Sequence, residues 1–141
     1  MPAISFFEED ISYKLKNKTA VRKWITDTIA AEGFKLDELT YVFCSDEYLL
    51  QINQQYLDHD TYTDIITFDN SEVEGIITGD IFISIERIKE NAVKFAVTDA
   101  QELHRVMIHG ALHLLGYKDK SAADKKKMTL KEDFYLAERN F

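Results

Sequence analysis

The sequence holds one proline (Pro2), one cysteine (Cys44) and five glycines in 141 residues. A lone thiol excludes an internal disulfide framework and any cysteine cage for zinc. With no internal proline, no repeat and no low-complexity tract to mark a linker, residues 1–141 read as a single domain. No apolar run approaches the roughly 20 residues that span a bilayer, so no membrane partner is expected. The opening MPAISFFEED lacks the basic start and apolar stretch of a secretion signal, and the expected location is the cytoplasm. Positive charge is also short. Against 25 Asp and Glu stand 17 Lys and Arg, a net charge of −8, which excludes a protein that coats nucleic acid by charge alone. The lysines are grouped, however: Lys14, Lys16, Lys18, Arg22 and Lys23 form one cluster, and Lys118, Lys120, Lys125, Lys126, Lys127 and Lys131 another. Solvated helix faces account for either cluster taken singly.

What is present is enough apolar sequence for one core. Ala3–Phe7, Leu39–Cys44, Asp64–Asp69 and Ile76–Ser84 are short β-branched or apolar runs that predict strands. Gly79-Asp80 inside the last predicts a bulge or a close backbone approach. Thr19 can N-cap a helix that ends at Gly33, with Val21, Trp24, Ile25, Thr28 and Ile29 on one face. Ser45 caps a second helix through Leu57, with Leu49, Ile52 and Tyr56 inward. Asp58–Thr63 and Ser71–Gly75 are connectors, and helical periodicity returns over Ile85–Val97. Thr98 and Gln101 make a capping box for a helix running to Leu115, closed by Gly116, and Ser121–Arg139 predicts a last helix. Met107 and Met128 are assigned to the core. The expected class is α+β: a mixed sheet of about four strands packed with about five helices.

The chemistry concentrates on the Thr98–Leu115 helix. His109 and His113 are one turn apart on one face, so two imidazoles can converge on one ion. Val106, Ile108, Leu112, Leu114 and Leu115 make this helix apolar nearly all round, and buried histidines need polar partners or a metal. A third ligand must come from outside the helix. Gly116 lets the chain turn back, which makes Asp119 the nearest acidic candidate, whereas Lys118 and Lys120 are protonated and unsuited. Arg105, four residues before His109, shares the ligand face and can hold an anionic substrate. His104 points elsewhere and is read as structural or exposed. The residue after the first histidine is Gly110, not the Glu that serves a zinc peptidase as base.

HGALHLLGYKD resembles the HGxLHLxGYDH signature of the YbeY family of bacterial endoribonucleases and rRNA maturation factors. Asn53-Gln54-Gln55-Tyr56 through Thr63-Asp64-Ile65-Ile66-Thr67-Phe68 resembles the family's N-x-x-Y(R)…TDVLSF segment, and Gly79-Asp80-Ile81 its GDI strand. The resemblance implies a central helix carrying the ligands, a zinc ion, and cleavage of single-stranded rRNA precursor in association with the small ribosomal subunit. It also marks two departures. The family's third ligand is a histidine, at the position of Asp119, with Lys118 replacing the preceding aspartate. Two histidines and one carboxylate remain a competent set that leaves the water less acidic and widens metal choice beyond zinc. Leu57 stands where many members carry an arginine after the tyrosine. An aliphatic side chain cannot bind phosphate, so Arg105, then Lys118 and His59, are the candidates to bind substrate.

The expected reaction is hydrolysis of an RNA phosphodiester at one ion, with His109 and Arg105 as the catalytic pair and Arg105 stabilising the added negative charge. Asp64 is a candidate acceptor that orients a ligand. Asp80 is assigned to the strand irregularity, and Tyr117 packs against the helix end or orients substrate. The rival expectation is a ribosome-assembly factor whose metal is structural and whose nuclease chemistry is weak.

Overall fold

The computed structural model describes residues 3–57 and 62–141. Nine elements follow in order: β1 (Ile4–Glu9), α1 (Lys18–Ala31), β2 (Lys35–Cys44), α2 (Asp46–Leu57), β3 (Ile65–Asp69), β4 (Ile76–Ser84), α3 (Ile85–Lys94), α4 (Asp99–Leu114) and α5 (Ala122–Ala137). The strands form one sheet in the order β1-β2-β4-β3. β1 and β4 run parallel to β2, while β3 returns antiparallel along β4. The class is thus α+β with a mixed sheet.

Both faces of the sheet are covered. Ile77, Ile81 and Ile83 of β4 join Tyr41 and Phe43 of β2 in the larger core, against Trp24 and Ile25 of α1 and Leu103, Met107, Ile108 and Leu112 of α4. The opposite face carries a smaller cluster of Cys44, Leu49 and Ile66 beneath α2. Burial this complete explains why α4 reads as apolar nearly all round. Met107 and Met128 are core residues, 0% and 2% exposed.

Two glycines set how closely α4 lies on the sheet. A Cβ at Gly110 would sit 2.9 Å from Cδ1 of Ile65 and 3.0 Å from Cδ1 of Ile81. At Gly79 it would meet the Phe68 carbonyl oxygen at 2.8 Å and Leu114 at 3.0 Å. The glycine in the β4 pattern therefore marks a close approach. β4 itself is unbroken through Gly79-Asp80, and the register shift lies in β2, between Leu36 and Glu38.

Local signals predicted some boundaries and missed others. The Thr98–Gln101 capping box is present, with Thr98 Oγ1 accepting from Gln101 N at 3.1 Å. Gly116 follows α4 with φ 105°, in the region that favours glycine. Ser45 and Ser121 accept from the third residues of α2 and α5. Thr19, by contrast, lies inside α1, whose N-cap is Asn17 with no side-chain bond. The buried stripe from Val21 to Ile29 holds that helix without a cap. β2 begins at Lys35 because it pairs with β4 down to Ile76, although its first residues are polar. Tyr56, expected inward, is 61% exposed with its ring edge-on to Phe68, and Asn53 is buried in its place. α3 stops at Lys94, leaving Phe95 and Val97 in an exposed turn before α4.

Candidate active site

Glu102, Arg105, His109 and His113 occupy one stripe of α4, at successive spacings of three, four and four residues. The stripe runs between the start of β3 and the side of α5. Midway along it, Nδ1 of His109 lies 2.7 Å from Oε2 of Glu132, and Nε2 lies 3.4 Å from Oδ2 of Asp119. Glu132 comes from the buried stripe of α5, between Met128 and Tyr135. Its other oxygen accepts from Arg105 Nη1 at 2.8 Å, and Arg105 Nη2 donates to Asp133 at 2.6 Å. Burial opposes protonation of His109, but the bond to Glu132 and the negative charges of Glu132, Asp119 and Asp64 outweigh it and raise the imidazole pKa. Asp64 lines the same cavity, of about 380 Å³, with His109, Asp119, Glu102 and Arg105. Burial pushes its carboxyl up, against the opposing charges of His109 and Arg87.

This donor set suits a divalent ion in two respects. A carboxylate on the far ring nitrogen is the usual partner of a metal-ligating histidine, fixing the proton on Nδ1 and leaving Nε2 as ligand. Two ligand atoms at the roughly 2.0–2.2 Å of a tetrahedral zinc site are about 3.4 Å apart. That is the separation of His109 Nε2 from Asp119 Oδ2, 3.4 Å. Among the described residues no three His, Cys, Asp or Glu side chains gather at one point, so the fit is of a pair. His113, exposed one turn further along α4, lines an adjoining cavity of about 420 Å³ with Asn53, Leu57 and Thr67. The two cavities share Thr63 and Ile65 and form one trough.

The remaining candidates separate clearly. Arg105 is in the site, but its charge is engaged by two carboxylates. Lys118 is exposed beside Asp119, and His59 lies outside the described residues. Leu57 does line the trough, so the aliphatic replacement falls within the site. Tyr117 packs against the core while donating to Glu32 at 2.5 Å. Asp80 holds Asn70 on the strand surface. His104 is buried, as a structural histidine.

Glu132 and Glu102 went unrecognised in the sequence. The signal was an acidic residue on an otherwise buried helical stripe. Glu132 is four residues after Met128, and Glu102, 5% exposed, is seven before His109. Burial raises the Glu102 carboxyl pKa, helped by Asp64 and Glu132 and opposed by Arg105.

The family model described as Endoribonuclease YbeY matches residues 3–140. A Cytophaga hutchinsonii protein named Endoribonuclease YbeY is 55% identical over 138 residues, covering 98% of this chain and 96% of that protein. A Flavobacterium psychrophilum protein of the same name is 51% identical, covering 90% of each. A solution structure of a Thermotoga maritima protein superimposes with a TM-score of 0.66 at 27% identity, over 96% of this chain and 87% of that one.

Proposed function

This chain belongs to the YbeY endoribonuclease family, and on that premise we propose that it hydrolyses single-stranded RNA at a divalent-metal site during rRNA maturation and ribosome quality control. His109, His113 and Asp119 would hold the ion, with zinc the expected metal and other divalent transition metals accepted. The observation that carries this reading is His109, pinned through Nδ1 by Glu132 with Nε2 facing Asp119 at 3.4 Å. When bound, such an ion supplies a Lewis acid and a water of lowered pKa.

The chain's own residues supply the rest. Glu132 holds the proton on Nδ1 of His109 and fixes the plane of the ring. Arg105 pairs with Glu132 at 2.8 Å, so its first task is to hold the carboxylate that positions His109 rather than to seize a phosphate. Leu57 adds no charge to the trough and leaves room beside His113 for the strand. Lys118, exposed next to Asp119 and in no ion pair among the described residues, would meet the phosphate backbone. The substrate would be an rRNA precursor in the cytoplasm, on the small ribosomal subunit; no helix among the described residues is long and apolar enough to cross a membrane.

The engagement of Arg105 by two carboxylates also favours a second reading, an assembly factor with a structural metal and weak chemistry. Cleavage of single-stranded RNA by metal-loaded protein, beside His109→Ala and His113→Ala, separates the two. Loss of cleavage in both variants is expected. Cleavage unchanged in both would sink the enzymatic reading, and metal-free folded protein from a chelator-free preparation would sink the metal site.

A further inference from the structure

A second cavity, of about 660 Å³, adjoins the site and shares Glu102, Arg105 and Glu132 with it. It lies between the turn before α4 and the side of α5, walled by Phe95, Val97, Leu136 and Arg139. Three of its groups keep capacity for a ligand. Phe95 presents a ring 56% exposed, with only the mobile end of an exposed lysine, Lys94 Nζ, near it at 5.7 Å from the centroid, although an aromatic of that size ordinarily buries most of its surface. Glu102 is 5% exposed as a residue, and its carboxyl oxygens, which have no hydrogen-bond or ion-pair partner among the described residues, stay open to the cavity. It sits where both cavities meet, with Asp64 and Glu132 as like-charged neighbours and Arg105 as the opposing charge. Arg139 makes no ion pair among the described residues. It donates to the Leu136 carbonyl and meets the Nδ1 of His104 at 2.6 Å.

Each group selects a different part of one ligand. An acceptor among like charges repels phosphate and favours an uncharged N–H donor edge. An unneutralised guanidinium takes an anion. An exposed ring beside a cleft is a stacking platform for an unstacked base. A base with two adjacent donors opposite a carboxylate is guanine, through N1–H and the 2-amino group.

We propose that this cavity is a nucleotide subsite for the RNA residue adjoining the cleaved bond, in which Phe95 stacks the base, Glu102 reads a guanine donor edge and Arg139 meets the phosphate. The proposal rests on the nuclease reading above and adds a base preference to it.

Binding without turnover tests it. Guanosine 5′-monophosphate titrated into the isotope-labelled full chain is expected to shift the amide resonances of Phe95, Gln101 and Leu136. Inosine 5′-monophosphate, lacking the 2-amino group, should bind roughly tenfold more weakly, the worth of one hydrogen bond to a charged acceptor. Glu102→Gln, nearly isosteric, should abolish that difference, and Phe95→Ala should weaken both nucleotides. Arg139→Gln should weaken the nucleotides but not guanosine. The proposal is overturned if guanosine monophosphate perturbs no resonance around Phe95, or if Glu102→Gln keeps the preference over inosine. Either result in a protein that cleaves RNA removes the subsite alone. A protein that binds the nucleotide there yet cleaves no RNA removes the proposed function and leaves a nucleotide site without a reaction.

Discussion

Nδ1 of His109 and Oε2 of Glu132 are 2.7 Å apart, joining α4 to α5 at the middle of the candidate site. Glu132 is 9% exposed at its side chain and also pairs with Arg105. One carboxylate therefore orients the histidine with one oxygen and is itself held in place by Arg105 through the other.

Glu132→Gln keeps the shape and removes the charge. Zinc affinity should fall by about 10–100-fold, the usual cost of losing the partner of a liganding histidine. Competition with a chromophoric chelator measures it. Affinity unchanged in the variant would show that His109 does not depend on Glu132.

Glu102→Gln should raise the melting temperature at neutral pH while weakening guanine-nucleotide binding. The folded state holds a buried carboxyl whose pKa is raised, so its ionised form opposes folding above the unfolded pKa. The gain should be modest, because the unpaired carboxyl oxygens still reach solvent in the cavity. Thermal melts at pH 7 and pH 5 check the sign, because the gain should shrink as the carboxyl becomes protonated.

His104 predicts an acid-sensitive stability. Its ring is 6% exposed and stands against Trp24 and Phe141 at 5.8 and 5.3 Å, with Arg139 at its Nδ1. Burial, then the charge of Arg139, push its pKa down to about 4. The unfolded chain takes up a proton below about 6.5 that the folded chain refuses until about 4. Stability contributed by the neutral ring is complete above pH 6.5 and is lost as pH falls towards 4, by about 2 kcal/mol. Urea unfolding across that window should show the slope in the parent and a flatter one in His104→Phe, whose overall stability is lower.

Gly110→Ala should cost about 1–3 kcal/mol, the usual range for overpacking a filled core. The added methyl would press on the side chains of Ile65 and Ile81, which must swing aside within a filled core. Denaturant midpoints measure the loss. A cost below about 0.5 kcal/mol would mean that Ile65 and Ile81 make room for the methyl and that Gly110 does not set the approach of the helix.

Much of α4 was legible because its signals are local. The Thr98–Gln101 box, the four-residue spacing of His109 and His113, and Gly116 all operate within one or two turns. The partners of those residues were not legible, since they arrive by packing. Glu132 reaches His109 across 23 residues of chain, and nothing near Arg105 in sequence announces that Glu132 and Asp133 will neutralise it. The start of α1 shows the same effect. Thr19 has the better capping side chain, but the core contacts of Val21 and Trp24 place the boundary at Asn17. At Phe95, the apolar pattern of Ile85–Val97 extended beyond the end of the helix at Lys94, and the ring was left exposed.

The last helix holds more than its own turn of the fold. Its buried contacts reach α4 through Glu132, α1 through the Trp24 indole donating to the Tyr135 carbonyl, and the Asp119-bearing loop through the shared partner Glu32. No strand of the sheet pairs with it. If α5 opens as a cooperative unit, it must uncover Met128 and Tyr135 from the core, while the backbone pairing of the sheet is left intact. Such an opening would release His109 and Arg105 together. In hydrogen exchange the site would then report the opening free energy of one helix, not the global stability of the domain.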